Sequence, residues 1–400
     1  MCLYFGPKKY IRAVHSFCRQ ETEYIEPIVE KIFKTLSSIK LNEGLVGIDS
    51  RVWEVYSELK IGLTDVRMIG IYGTGGIGKT TIARVVYDSF SNQFEASSFL
   101  HDVRDAYGRG GLVYLQKKLL SDTLMERNIN VGDKNEGVQF IKHRLCNKKV
   151  LLVLDDINCL KQLEFLVGKR SWYGPGSRII ITTRDQYLLE RHAVDAIYRP
   201  EEMSNEEALR LFSSTCFGSE HTPEGYKEMS NDVVSYAHGL PLAIKFLGSH
   251  LVGRSIPEWK SCLAGLENKF PTELSEVLKI SFYSLSVVEK NTFLHMACFF
   301  NGEDRDRTEH ILDSIGFYPL FTLRVLIEKS LLNLSLDGNS FSMHPLVQQM
   351  GREVVCGECP EWPSRRSRLW LPEDIDAVLT ENIVSNYVEI FNLNIDPFYY

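Results

Sequence analysis

The chain of 400 residues contains no apolar run near the ~20 residues that a membrane-spanning helix needs, so no transmembrane segment is expected. It begins Met1-Cys2-Leu3-Tyr4-Phe5-Gly6-Pro7, with Lys8 and Lys9 after the apolar residues, the reverse of a secretory signal. An excess of positive charge is also missing. The 45 Lys and Arg are outnumbered by 52 Asp and Glu, for a formal net charge of −7, which argues against a broad nucleic-acid footprint. The nine cysteines are odd in number and scattered from Cys2 to Cys359, with no disulfide framework. Without a signal peptide, they point to reduced thiols in the cytosol or nucleus. Cys356-Gly357-Glu358-Cys359 lacks a second ligand pair and reads as incidental rather than as a zinc or redox site. What remains is ordinary globular composition, 44% hydrophobic and 24% charged, in enough chain for two or three domains with their own cores.

Against that background one motif is complete. Gly73-Thr74-Gly75-Gly76-Ile77-Gly78-Lys79-Thr80 has the pattern G-x-x-x-x-G-K-[ST]. At average glycine usage the bare pattern arises by chance in roughly one in a hundred chains of this length. Here a mostly apolar run from Val66 to Tyr72 predicts a strand feeding into it, and Thr81 to Tyr87 predicts a helix leaving it. In that context the loop's N–H groups and the helix N-terminus point at phosphate oxygens. Lys79 would reach the β- and γ-phosphates, and the Thr80 hydroxyl would ligate Mg²⁺.

Val150 to Leu154 is a continuous apolar run, as in a strand buried on both faces of a parallel sheet, and Asp155 and Asp156 fall at its carboxyl end. Asp155 would hold Mg²⁺ through water, and Asp156 would polarise an attacking water. Ser97 to Val103 reads as a further strand, and Leu112 to Leu124 as a helix. Gly174 to Arg184 reads as a turn and a β-branched strand, with Arg184 at its end placed to sense a γ-phosphate. Alternating strands and helices predict a doubly wound α/β fold. Past about residue 202 helical periodicity takes over: Ser204 is a plausible N-cap, and Pro241 follows a helix ending near His238. Leu331 to Met343 reads as a hairpin turning at Asp337-Gly338-Asn339; helices closed by such a hairpin suggest a winged helix.

The ordered series Gly70-Ile71-Tyr72 with the phosphate loop, Leu151 to Asp156, Gly176 to Arg184, Gly239-Leu240-Pro241-Leu242-Ala243 and Met343-His344 resembles the NB-ARC module of plant intracellular immune receptors, from about Leu45 to Thr380. Asn158 and the stretch Leu294 to Phe300 resemble the class that carries an N-terminal TIR domain, although His295 replaces the usual acidic residue. The resemblance implies an α/β P-loop NTPase with a doubly wound parallel sheet, followed by a helical subdomain and a winged-helix subdomain. It implies a module that holds ADP at rest and ATP when active, with self-association or pairing with other immune receptors. Val46 and Gly47 would lie near the adenine, with Gly73, Gly75, Gly76, Ile77, Gly78, Lys79, Thr80 and Thr81 along the phosphates. Pro241 would pack on the nucleotide, and His344 would touch the β-phosphate of ADP.

The expected divisions are a tail and linker at 1–44, the nucleotide-binding domain at 45–202, the helical subdomain at 203–274, the winged helix at 275–360 and a C-terminal segment at 361–400. Glu21 to Leu36 resembles the connector after a TIR domain, and Ser367 to Asp374 the segment leading toward leucine-rich repeats. Neither a TIR domain nor a repeat is recognisable in the sequence, so no NAD-cleaving activity is expected. The family's usual Met-His-Asp is Met343-His344-Pro345 here, from which weaker retention of ADP is expected. Competing readings are a turnover ATPase of the AAA+ kind with Asp156 as base, an adaptor pairing with a full-length receptor, and a DNA-binding winged helix supported only by Arg365-Arg366-Ser367-Arg368.

Overall fold

The computed structural model describes residues 45–126, 129–268, 271–335, 337–380 and 390–391. The expected connector helix at Glu21 to Leu36 therefore lies outside the described residues. Five parallel strands form the main sheet: β1 (Arg67–Tyr72), β2 (Ala96–Leu100), β3 (Val150–Ile157), β4 (Arg178–Thr183) and β5 (Ala196–Tyr198), in the order β2-β3-β4-β1-β5. Strand β4 is thus interposed between the strand that feeds the phosphate loop and the strand that ends in the acidic pair.

The continuous apolar runs fill two cores at once, because successive side chains leave opposite faces of a strand. Met68, Leu152, Leu154, Ile179 and Ile181 pack with α3 (Val103–Leu124), α4 (Lys134–Leu145), α5 (Leu160–Leu166) and α6 (Gln186–Arg191). Ile69, Ile71, Leu151, Val153 and Ile180 pack on the other face with α1 (Ile48–Leu59) and α2 (Lys79–Phe90). The sheet is therefore doubly wound.

One buried side chain organises the entry to this sheet. Arg178, at the start of β4, is fully buried, and its guanidinium donates to the carbonyls of Leu59, Lys60, Leu63, Asp65 and Ser177. These include the unsatisfied carbonyls at the end of α1, so a side chain does the work of a helix cap.

After β5 the chain is helical: α7 (Asn205–Phe217), α8 (Lys227–Ala237), α9 (Pro241–Leu251), α10 (Ile256–Asn268) and α11 (Thr272–Tyr283). Ser204 and Glu207 form a reciprocal capping box at the start of α7, and Pro241 occupies the first turn of α9. Helix α11 packs on α9 and runs across the expected division at 274/275, so that boundary falls inside an element. The winged-helix part follows as α12 (Val287–His295), a π-helical turn at Met296–Phe300, α13 (Arg305–Ser314), α14 (Pro319–Glu328), β6 (Asn333–Leu334), β7 (Phe341–Ser342) and α15 (Pro345–Glu358). The hairpin is shorter than its sequence suggested. Beyond Leu334 the Ser335 N–H bonds the Ser340 carbonyl, and Ser340 bridges to Asp304 rather than extending the ladder. One continuous apolar core joins the helical and winged-helix parts, from Phe212 and Trp259 to Phe293, Phe341 and Met350, and it includes Ile77 of the phosphate loop.

Toward the C-terminus, β8 (Arg368–Leu369) pairs with β9 (Ile390–Phe391), with α16 (Pro372–Thr380) between. The basic cluster there is not a surface patch. Arg366 and Arg368 are buried; Arg366 bonds the Cys359 and Pro360 carbonyls and pairs with Asp374 at 2.9 Å, which removes the support for a DNA-binding reading.

Candidate nucleotide-binding site

The phosphate loop spans the six residues between Tyr72 and Lys79, where Gly73, Gly76 and Gly78 take positive φ values of 148°, 86° and 102°. Gly76 is constrained twice, since a Cβ there would lie 2.7 Å from Leu242 Cβ, and its carbonyl accepts from the Leu242 N–H at 3.2 Å. The segment Gly239 to Ala243 therefore sits directly on the loop. A Cβ at Gly75 would lie 2.4 Å from Arg184 Nη1, so Arg184 closes over the loop from the other side.

Lys79 Nζ donates to the carbonyls of Gly73 at 2.7 Å and Thr74 at 2.9 Å. Burial, and then the nearby Arg184 guanidinium, pull its pKa down to about 7. Thr80 Oγ1 and Thr182 Oγ1 both donate to Asp155 Oδ1, at 2.8 and 2.6 Å. Burial raises the Asp155 pKa against the pull of those two hydroxyls. Asp156 has φ 59° at a register shift between β3 and β4, a bulge that re-aims a strand-end side chain. Its carboxylate meets Arg104 Nη2 at 2.9 Å and Arg184 Nε at 3.7 Å. Arg184 Nη1 also donates to the Val277 carbonyl of α11 at 2.7 Å.

Two clefts flank the loop. The first, with about 450 Å³ of empty space, is lined by Val46, Gly47, Ile77, Gly78, Thr81 and Pro241, all singled out in the sequence, and also by Ile48, Arg51, Met203, Leu211 and Lys245. Its mostly apolar walls come from the start of α1, the start of α2 and the helical part. The second, about 470 Å³, is lined by Asp156 and Arg184 together with Arg104, Asn158, Asp185, Ser281 and Lys329. His344 lines neither. Its Nδ1 accepts from the Leu346 N–H as the N-cap of α15, and its Nε2 donates to the His238 carbonyl at 3.2 Å. It thereby touches, at the His238 carbonyl, the start of the segment that sits on the loop. The N–H groups, hydroxyls and lysine that converge at the N-terminus of a helix after a parallel strand make an anion site of the nucleotide-binding kind.

Arg51, Arg104, Met203, Leu211 and Lys329 were missed by the sequence reading. None belongs to a local motif, and each enters the site from an element whose position only the tertiary fold decides.

A model of the NB-ARC domain matches residues 49–222, and one described as the Disease resistance protein Roq1-like winged-helix domain matches residues 286–358. Disease resistance protein RUN1 of Vitis rotundifolia is 42% identical over 378 residues, covering 94% of this chain and 28% of its own length. TMV resistance protein N of Nicotiana glutinosa is 39% identical over 373 residues, covering 91% of this chain and 32% of its own. The chain thus spans under a third of these relatives. A Walker-type ATPase of Pyrococcus abyssi superposes with a TM-score of 0.52 at 12% identity, over 77% of this chain and 96% of that one, a likeness of fold alone. The chain thus carries an NB-ARC domain over residues 49–222 and a winged-helix domain of the Roq1-like disease resistance type over residues 286–358.

Proposed function

We propose that the chain is the ADP/ATP switch of a plant immune receptor, cycling slowly by hydrolysis, with the base in the first cleft and the phosphates along the loop. The observation that carries this reading is that the winged-helix part touches the phosphate machinery itself. Thr74 Oγ1 donates to the Ser330 carbonyl at 3.2 Å, and Lys329 pairs with Asp185, next to Arg184, at 2.8 Å. A group that reads phosphate state and a group that positions the winged helix are thereby neighbours.

In this reading Val46, Ile48, Met203, Leu211 and Pro241 enclose adenine, and Lys79 turns from the Gly73 and Thr74 carbonyls to the phosphates. The Thr80 hydroxyl and the Asp155 carboxylate converge as a pair of hard oxygen donors, which suits Mg²⁺ held mainly by water and phosphate. That ion, when bound, would neutralise phosphate charge. For Arg184 to reach a γ-phosphate it must leave Asp156 and the Val277 carbonyl, so a third phosphate pulls at α11. Asp156, held between two guanidiniums, is not free to orient water until Arg184 moves, which favours slow resetting over continuous turnover. Self-association or pairing with other receptors, in the cytoplasm or nucleus, belongs to the same proposal and rests on the resemblance of the sequence motifs alone.

The test is the nucleotide carried through purification, released by denaturation and quantified beside a Lys79→Ala control. Near-stoichiometric ADP that the control lacks supports the switch; a folded wild-type protein without nucleotide counts against it. Burst hydrolysis followed by retained ADP distinguishes the switch from an AAA+-like ATPase, which would turn over repeatedly.

A further inference from the structure

Arg51 lies within α1, lines the first cleft, and is the only residue there whose side chain reaches four separate acceptor groups among the described residues. Its Nη1 donates to the Gly47 carbonyl, one turn back on its own helix, and to Glu207 Oε1 at 3.0 Å. Its Nη2 donates to the Glu201 carbonyl at 3.3 Å, the Glu202 carbonyl at 3.1 Å and Glu207 Oε2 at 3.2 Å, and Nε reaches the Glu201 carbonyl again. The side chains of Arg51 and Glu207 are only 13% and 24% exposed, so this is not a solvated surface pair. Gly47 fits the arrangement closely: at φ 65° it turns the chain into α1, and a Cβ there would lie 2.2 Å from Glu207 Oε1.

The acceptors belong to three pieces of chain: the start of α1, the link from β5 to α7, and α7 itself. The same link continues to the other side of the site. Met203 N–H donates to the Gly239 carbonyl at 2.9 Å, and the neighbouring His238 carbonyl accepts from His344. A planar guanidinium can span such a fan of oxygens, whereas an ammonium cannot.

We propose that Arg51 and Glu207 form a clasp that holds the wall of the base cleft against the helical part, making Arg51 a positioning residue that governs how fast a nucleoside diphosphate leaves. The inference rests on the nucleotide-switch reading. With the clasp closed, Val46 and Gly47 are fixed against Met203 and Leu211. With it open, the start of α1 swings from α7 and the base is released while the phosphate loop stays intact.

The test is dissociation of a fluorescent ADP analogue, chased with excess ADP, from the wild type, Arg51→Gln, Arg51→Lys, Glu207→Gln and the Arg51→Gln/Glu207→Gln pair, with the melting temperature of each measured without nucleotide. Arg51→Gln should release the analogue about tenfold faster, and Arg51→Lys nearly as fast, because charge alone does not span the carbonyls. Glu207→Gln keeps the capping oxygen for Ser204 and should fold normally, with a smaller increase. The pair should release no faster than Arg51→Gln alone, as expected of two groups acting as one unit. Release from Arg51→Gln and Arg51→Lys within twofold of wild type would overturn the clasp. Fully additive effects of the two Gln changes would overturn it as well. If wild type fails to hold the analogue and Lys79→Ala is no worse, the nucleotide reading itself fails and takes the clasp with it.

Discussion

At the scale of the residue, Lys79 has the most consequential environment. A pKa pulled down to about 7 leaves its amine only partly charged at neutral pH, and a phosphate beside it would restore the full charge. Binding of ADP at pH 8 should therefore take up close to one proton, and at pH 6 much less, because there the lysine is already protonated. Calorimetry in buffers of different ionisation enthalpy measures this, and Lys79→Arg should abolish the uptake at pH 8. His295 titrates with a different effect. Arg368 donates to its Nδ1 at 3.0 and 3.1 Å, so that nitrogen carries no proton and its 2.8 Å approach to the Asn291 carbonyl is a contact rather than a hydrogen bond. The neutral ring then has its proton on Nε2, which is buried and finds no acceptor among the described residues. Burial, and then Arg368, hold its pKa at about 4. Since protonation favours the unfolded chain, this group's stabilisation is present above pH 6.5 and lost as the pH falls toward 4, by about 3 kcal/mol at most. Denaturant titrations at pH 7 and pH 4.5 should show a smaller acid loss for His295→Asn than for wild type.

At the scale of the element, the clearest departure from the pattern that the resemblance leads one to expect is Pro345. It occupies the first turn of α15, where a missing N–H costs nothing, and His344 supplies the cap. The helix is therefore sound, and what changes is the neighbourhood of His344, which has no adjoining carboxylate at 345. Pro345→Asp should lengthen ADP retention severalfold with little change in melting temperature; equal dissociation rates would refute that. Elements such as this one were legible because their signals are local. The glycines of the loop, the apolar run ending in Asp155-Asp156, the Ser204 cap and Pro241 each announce themselves within a few residues. Arg51 and Arg178 were illegible for the opposite reason. They act on carbonyls more than a hundred residues away, and nothing near either arginine in the chain marks that partnership. The hairpin was legible by its Asp337-Gly338 turn but its length was not, because Ser340 bridges Asp304 on a separate part of the chain.

At the scale of the whole molecule, the parts are held together by a few polar ties around a shared apolar core. Lys329–Asp185 is the tie best placed to be cut without unfolding either side, with both side chains about one-fifth exposed. Lys329→Ala should speed nucleotide exchange and increase the radius of gyration measured by X-ray scattering, while leaving the far-ultraviolet spectrum unchanged. The fan of carbonyls around Arg178 has a consequence for proteolysis. The loop after α1 exposes Lys60 and Leu63, chemically attractive to trypsin and chymotrypsin, yet its backbone is gripped from below by a guanidinium on β4. A protease must draw some ten residues of extended chain into its cleft, and here it can do so only after the strand end itself has let go. Cleavage after Lys60 should consequently be as slow as global opening of the sheet, and nicking there would serve as a clock for unfolding rather than a sign of a loose loop.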